Sequence, residues 1–263
     1  MDRRVAMALL ALLGIGAGWE ARALLEPRVV LATAPSATSS GTRPGEAGAA
    51  PPTSERMREA FEDIYRGAVW GTNADDAGHS GVGSTMRTTL LYRTFLAQFM
   101  KDTAVHSVVD AGCGDWEFSR AIDWSGIDYK GFDIAPRVIK ADQERFTRPN
   151  VHFFVGDIVD DDLPPADLLI VKHVLQHLPN AAVEKFLRQL PKYRHALLID
   201  GVNAEGLSST NPDIPVGGYR PLDVTKPPFN VRGAKLLTYW DGAYMEQVVY
   251  VSSGERTPIP QDD

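Results

Sequence analysis

His173 and His177 stand four residues apart, immediately after the apolar run Ala166 to Lys172. Imidazole is the side chain whose ordinary pKa lets it take a proton near neutral pH. His173, directly after the run, is therefore the leading candidate for a general base, and His177 is the second catalytic candidate. Spacing of four also suits a metal pair, but a metal site needs a third ligand. Neither an HExxH pattern nor an acidic cluster at fixed spacing accompanies these histidines, so no metal is expected. Upstream, Val108-Val109-Asp110-Ala111-Gly112-Cys113-Gly114-Asp115 is an apolar run ending in an acid and two closely spaced glycines. Such glycines let the backbone turn sharply and approach a ligand, and the following residues can open a helix whose N–H groups face it.

Two cofactor classes use a turn of this kind. Dinucleotide binding wants G-x-G-x-x-G, with a pyrophosphate at the helix N-terminus. Here the third glycine position is Glu117, whose carboxylate would repel a diphosphate. S-adenosylmethionine (SAM) has no phosphate and carries a cationic amino acid end and a sulfonium, so it suits an acidic D-x-G-x-G turn better. A SAM site also needs an acid for the ribose hydroxyls at the end of the second strand. Asp133 stands about twenty residues past the turn, where that acid is expected. Asp157 ends the next apolar segment and offers a polar group for the adenine. Acids at strand ends also cap helices, and for Asp110 and Asp157 this structural role stands beside the ligand role.

The elements that must position these groups follow from the apolar pattern. Tyr129 to Ile134, Val151 to Ile158, Ala166 to Lys172 and His195 to Asp200 read as strands after the first, and their nearly continuous apolar runs suit a buried parallel sheet. Lys235 to Trp240 and Met245 to Val251 read as two closing strands joined by Asp241-Gly242, a hairpin signal. A helix is expected over Thr85 to Lys101, with Ser84 as N-cap and Leu90, Leu91, Phe95, Leu96 and Phe99 as its apolar stripe. His173 and His177 would then share the face of a helix after the fourth strand. Phe61 to Trp70 reads as an amphipathic helix covering the site. His79 to Ser84 could form a lid, with Arg87 or Arg93 reaching the SAM carboxylate. Gly201 to Asn230 is too long for a routine connection and is expected to meet substrate through Asn203, Asp213, Tyr219, Arg220 or Asp223.

With VVDAGCGD, GFDI, GDI and ADLLIVKHVLQHLPN in that order, the chain resembles the class I SAM-dependent methyltransferases over roughly residues 80 to 250. The resemblance implies a three-layer α/β/α Rossmann-like domain with a mostly parallel seven-strand sheet and an antiparallel last strand. It also implies that Gly112 and Gly114 line the cofactor, that Asp133 holds the ribose, that Asp157 and Ile158 meet the adenine, and that Ile134 packs on its other face. Asp110 belongs to the same cofactor-binding set. Many family members have a third glycine where this chain has Trp116.

The 263-residue chain is longer than one ordinary domain, and its first fifty residues differ in composition from the rest. Met1-Asp2-Arg3-Arg4 is a basic start, followed by the charge-free run Val5 to Trp19, which resembles a signal peptide or signal anchor. An uncleaved anchor over residues 1–30 is preferred, although Glu20 and Arg22 interrupt the apolar run early for a full span. Residues 31–54, rich in Ala, Pro, Ser, Thr and Gly, read as a flexible stem, and residues 55–263 as the catalytic domain. Membrane attachment through the N-terminal segment is thus expected, with the secretory pathway and the cytosolic face both open. The single cysteine, Cys113, excludes an internal disulfide and reads as a small buried residue. Residues 55–263 carry 22 basic and 30 acidic residues, which argues against a nucleic acid partner. The expected activity is SAM-dependent methylation, most simply of oxygen on a small molecule or on a sugar of a glycan. A non-catalytic module holding SAM or its product SAH is the alternative, and an NAD(P)-dependent oxidoreductase is disfavoured by Glu117.

Overall fold

The structure is a computed structural model that describes residues 53–71, 80–202 and 211–253. The expected anchor and all but the end of the expected stem lie outside the described residues. Among those described, no helix is long and apolar enough to cross a membrane.

Seven strands form one sheet: β1 (Ser107–Ala111), β2 (Asp128–Asp133), β3 (Val151–Val155), β4 (Leu168–Lys172), β5 (His195–Val202), β6 (Ala234–Trp240) and β7 (Met245–Ser252). Their order is β3-β2-β1-β4-β5-β7-β6. All neighbours from β3 across to β5 are parallel, and β7 runs antiparallel to both β5 and β6. Alternation along the strands divides the core in two. Val109, Ala111, Leu169, Val171, Ala196, Leu198 and Val249 face helices α1 (Ser54–Arg66) and α4 (Asn180–Leu187). Val108, Leu168, Ile170, Leu197, Ile199 and Val248 face α2 (Leu90–Asp102) and Ile139 of α3 (Pro136–Phe146). Two buried layers on one sheet make the expected three-layer architecture, and they explain why β4 and β5 are buried along their whole length.

The β-branched threonines ahead of α2 change its start. Thr85 Oγ1 accepts from Thr88 N, and the Thr89 hydroxyl donates to the Thr85 carbonyl. These side chains compete for backbone groups and hold 85–89 in turns, so the helix begins at Leu90 rather than Thr85. Ser84 closes a 3-10 turn, Val82–Ser84, and is not an N-cap. The buried face of α2 is Tyr92, Leu96 and Met100, with Phe95 and Phe99 partly buried, whereas Leu90 and Leu91 are exposed. Helix α1 starts earlier than expected, capped by Thr53, and ends before Trp70; Met57, Phe61 and Tyr65 form its buried face at helical spacing.

Candidate active site

The strand order reverses between β1 and β4, and a cavity opens there at the carboxyl ends of the strands, as the topology of open parallel sheets favours. Its wall includes Asp110, Gly112, Gly114, Asp133, Ile134, Asp157 and Ile158, together with His173 and His177. The two catalytic candidates and the seven cofactor-binding candidates thus line one cavity. The β1 turn is pinned to β2: Gly112 N and Cys113 N donate to Phe132 O at 2.7 and 3.0 Å, and Gly114 N donates to Asp133 Oδ2 at 3.1 Å. Gly112 and Gly114 have φ of 84° and 57°, and a Cβ on them would collide with Val174 and Ser80 respectively. Backbone conformation and space therefore both require glycine. Trp116 shares this left-handed geometry at φ 53°, yet its ring is fully buried against Tyr129, Phe146 and Phe153. The loop keeps its path without a third glycine because a packed indole anchors it.

Burial raises the carboxyls of Asp110 and Asp133 to about 6 each. Tyr129 OH donates to Asp110 Oδ2 at 2.6 Å, and Gly114 N and Ala135 N donate to Asp133; these bonds oppose the burial effect. Asp157 divides its work. Oδ1 accepts from Val159 N at 2.8 Å, which is the capping role, while the buried Oδ2 has no partner and its residue lines the cavity. An orphaned carboxylate oxygen beside a glycine-lined cradle fits a ligand with amino and hydroxyl donors, as SAM is. Asp115 and Ser80 add a clamp that the sequence did not suggest: Ser80 N donates to Asp115 Oδ2 at 3.2 Å, Asp115 N donates to Ser80 Oγ at 3.0 Å, and Tyr65 OH lies 3.0 Å from Ser80 Oγ. The segment before α2 is thereby stitched over the glycine turn, as expected of a lid, although His79 lies outside the described residues. Arg87 and Arg93 do not reach this cavity: Arg87 is exposed, and Arg93 bonds to Thr89 Oγ1 and the Met86 carbonyl.

His173 follows β4 in left-handed backbone, φ 57°, with its N–H bonded to Ile199 O at 2.8 Å. A non-glycine residue held there stores strain of about 1–3 kcal/mol, and such strain gathers at functional sites. Its Nε2 lies 2.6 Å from Glu246 Oε2 on β7, a carboxylate that is almost fully buried. Glu246 was missed because nothing local in Met245–Ser252 distinguishes it; only the antiparallel return of β7 brings it to β4. Burial and the neighbouring Lys172 cation lower the His173 pKa, and the bond to Glu246 opposes them. His177 is not on a helical face with His173, since Leu175–His177 is a 3-10 turn and α4 starts only at Asn180. Its Nδ1 donates to Gly218 O at 2.7 Å, its ring packs 5.0 Å from Trp70, and burial lowers its pKa to about 4.

A second cavity adjoins the first, lined by Val69, Gln176, Gly201, Tyr219, Tyr244 and Glu246 among others. Trp70, Ser80, His173 and His177 belong to both walls. Of the loop candidates among the described residues, Tyr219 alone lines this site. Arg220 is buried and donates to Leu178 O and Asn180 Oδ1, Asp213 accepts from the first N–H of α4, and Asp223 pairs with Lys235, so all three are structural. Asn203 lies outside the described residues. Cys113 is buried as expected. Among the described residues, no three His, Cys, Asp or Glu side chains are arranged to hold a metal.

A glycine-turn cradle at the switch point of a seven-strand sheet with one reversed strand defines a class I SAM-dependent methyltransferase. The profile of the O-methyltransferase domain family matches residues 53–206, more than half of the chain, and the chain belongs to that family. Magnesium protoporphyrin IX methyltransferase from Synechocystis PCC 6803 with bound SAH superposes with a TM-score of 0.52 at 14% identity, covering 75% of this chain and 98% of that one. Its SAM-bound form gives 0.52 at 16% identity over 77% and 98%. Human N-acetylserotonin methyltransferase in complex with SAM gives 0.44 at 16% over 76% and 66%. No curated protein sequence matches the chain. The protein is a SAM-dependent methyltransferase.

Proposed function

We propose that the protein methylates a hydroxyl oxygen of a small molecule that occupies the second cavity, with His173 as general base. The observation that carries this is the position of His173 in both walls, so that one imidazole can touch groups bound on either side. SAM, held by Asp133, Asp157, Ile134, Ile158 and the glycine turn, supplies an activated methyl group. Glu246 accepts from Nε2–H, so the ring's lone pair is at Nδ1, where the acceptor hydroxyl takes the place of Lys172 Nζ, 3.2 Å away, and gives up its proton; the negative charge of Glu246 stabilises the imidazolium that results. His177, Trp70, Tyr219 and Tyr244 form a run of rings with centroids 5.0 to 6.1 Å apart. That wall favours an acceptor with a flat face. Because Glu246 is the acid of this cavity and His177 stays neutral, an uncharged acceptor is favoured over an anionic one. A sugar of a glycan is the second reading, supported by the half-exposed mouth at Tyr219 and Tyr244.

The test is untargeted comparison of methylated small molecules and glycans made by cells carrying the wild type or His173→Asn, with SAM binding to each purified full-length protein measured by calorimetry. The expected result is one product class lost, turnover on it reduced about 10²–10⁴-fold, and SAM affinity retained. Wild-type turnover by the variant would remove His173 from the role of base.

A further inference from the structure

Lys172 ends β4 as a buried cation that general-base catalysis by His173 leaves without a task. Its Nζ donates to Gly83 O at 2.8 Å and sits over the rings of Tyr92 and Phe118, 5.8 and 5.4 Å from their centroids. The same Nζ lies 3.2 Å from Nδ1 and 3.5 Å from Nε2 of His173. The imidazole is therefore held between an ammonium and the Glu246 carboxylate. It cannot easily retreat, because it packs on Gly83 so closely that a Cβ there would collide with it. A proton on His173 would place two positive charges within contact distance in a region of low dielectric, and that repulsion opposes protonation.

We propose that Lys172 is a positioning residue for the methyl transfer, its ammonium donating to Nδ1 in the resting site and keeping His173 neutral until the acceptor hydroxyl takes that place. The proposal rests on His173 being the base. Glu246 and Lys172 then have opposite tasks on one ring: the carboxylate fixes which nitrogen carries hydrogen, and the ammonium, donating to the other, opposes a second proton. After turnover, the same repulsion returns the imidazolium to its neutral form by favouring loss of its proton. The charged groups facing this pair are Glu246 on β7, Asp241 after β6, Asp200 on β5 and Asp110 on β1, with His177 beyond the ring. Burial lowers Lys172 to about 8 while these acids hold it up, so the cation is present at neutral pH.

The test is the titration of the His173 imidazole, followed by the NMR signal of its Cε1 proton in full-length protein, with His173→Asn identifying the resonance. Wild type is compared with Lys172→Met, which keeps the unbranched stem on Tyr92 and Phe118 without the charge, and with Lys172→Arg, which restores a charge. The expected result is a midpoint that moves to higher pH in Lys172→Met and returns toward the wild-type position in Lys172→Arg. An unmoved midpoint in Lys172→Met overturns the proposal, and so does an equal upward move in both variants, which would make packing the cause. Should Lys172→Met fail to fold, Lys172→Gln carries the same comparison. The base reading fails separately: wild-type turnover by His173→Asn would reject it whatever the titration shows.

Discussion

On the proposed reading Asp133 meets two conflicting demands, since it is buried in the cavity wall and would serve a cationic ligand when ionised. Burial raises it to about 6 from an ordinary 3.8, and Asp110 rises likewise. A carboxyl whose folded pKa lies above its unfolded one stabilises the fold below the unfolded value and loses that contribution as pH rises through the folded value. Stability of the ligand-free protein should therefore fall between about pH 4 and about pH 6–7, where both groups ionise. Asp142, pushed to about 9 by burial and by Asp115 and Asp133, keeps its proton in the folded protein while its unfolded carboxyl ionises, so it adds to the fall through that window and continues it to about pH 9. Saturating SAM should flatten the decline, because a cation favours the ionised carboxylates. Thermal unfolding against pH for wild type and Asp133→Asn checks this: the variant should show a shallower fall and a weaker response to SAM, and identical curves would reject the linkage. The position of Asp133 at the end of β2, on the cavity wall, was legible because strand-end acids follow a fixed spacing from the glycine turn. Glu246, Lys172 and Ser80 were not, because each acts through a contact of 35 to 89 residues' separation that no local pattern encodes.

The strand-turn elements were the most legible, since β1, β4 and β5 carry apolar runs buried on both faces and the turn after β1 carries its glycines, while α2 was misplaced where threonine hydroxyls capture backbone groups. Trp116 shows how the turn after β1 holds without a third glycine. Its backbone is strained, but the indole fills a pocket between β2, β3 and the end of α3. Trp116→Ala keeps the strained φ and empties the pocket, so a loss of about 3–5 kcal/mol in unfolding free energy is expected. Trp116→Gly relieves the strain and should be less destabilising than Trp116→Ala, by about 1 kcal/mol, the reverse of the usual order away from positive φ. Urea unfolding of the three proteins measures both differences. A glycine variant less stable than the alanine variant would mean that the backbone at Trp116 is not held left-handed in solution.

Across the whole molecule, the two cavities draw on largely separate parts of the chain, and on the proposed reading they divide cofactor from acceptor. The first is walled by the turns after β1 to β4 and by Met57, Phe61 and Tyr65 of α1, while the second draws on Gly201, Tyr219, Tyr244 and Glu246 from the C-terminal part of the sheet and its preceding loop. The sequence showed the first set as motifs, because a shared cofactor demands fixed backbone geometry. It left the second as a list of polar candidates, because an acceptor pocket built from loops has no periodicity to read, and three of those candidates hold the loop instead of the ligand. The division can be tested at Tyr219, whose ring stands 5.9 Å from His177 and 6.1 Å from Tyr244 and belongs to the second wall alone. Tyr219→Ala removes a stacking face of about 1–1.5 kcal/mol, so KM for the acceptor should rise about five- to tenfold. SAM affinity should not change, and kcat should fall less than KM rises, because the His173–Glu246 pair is untouched. A weakened SAM affinity with unchanged acceptor KM would instead place Tyr219 on the cofactor side and join the two cavities into one.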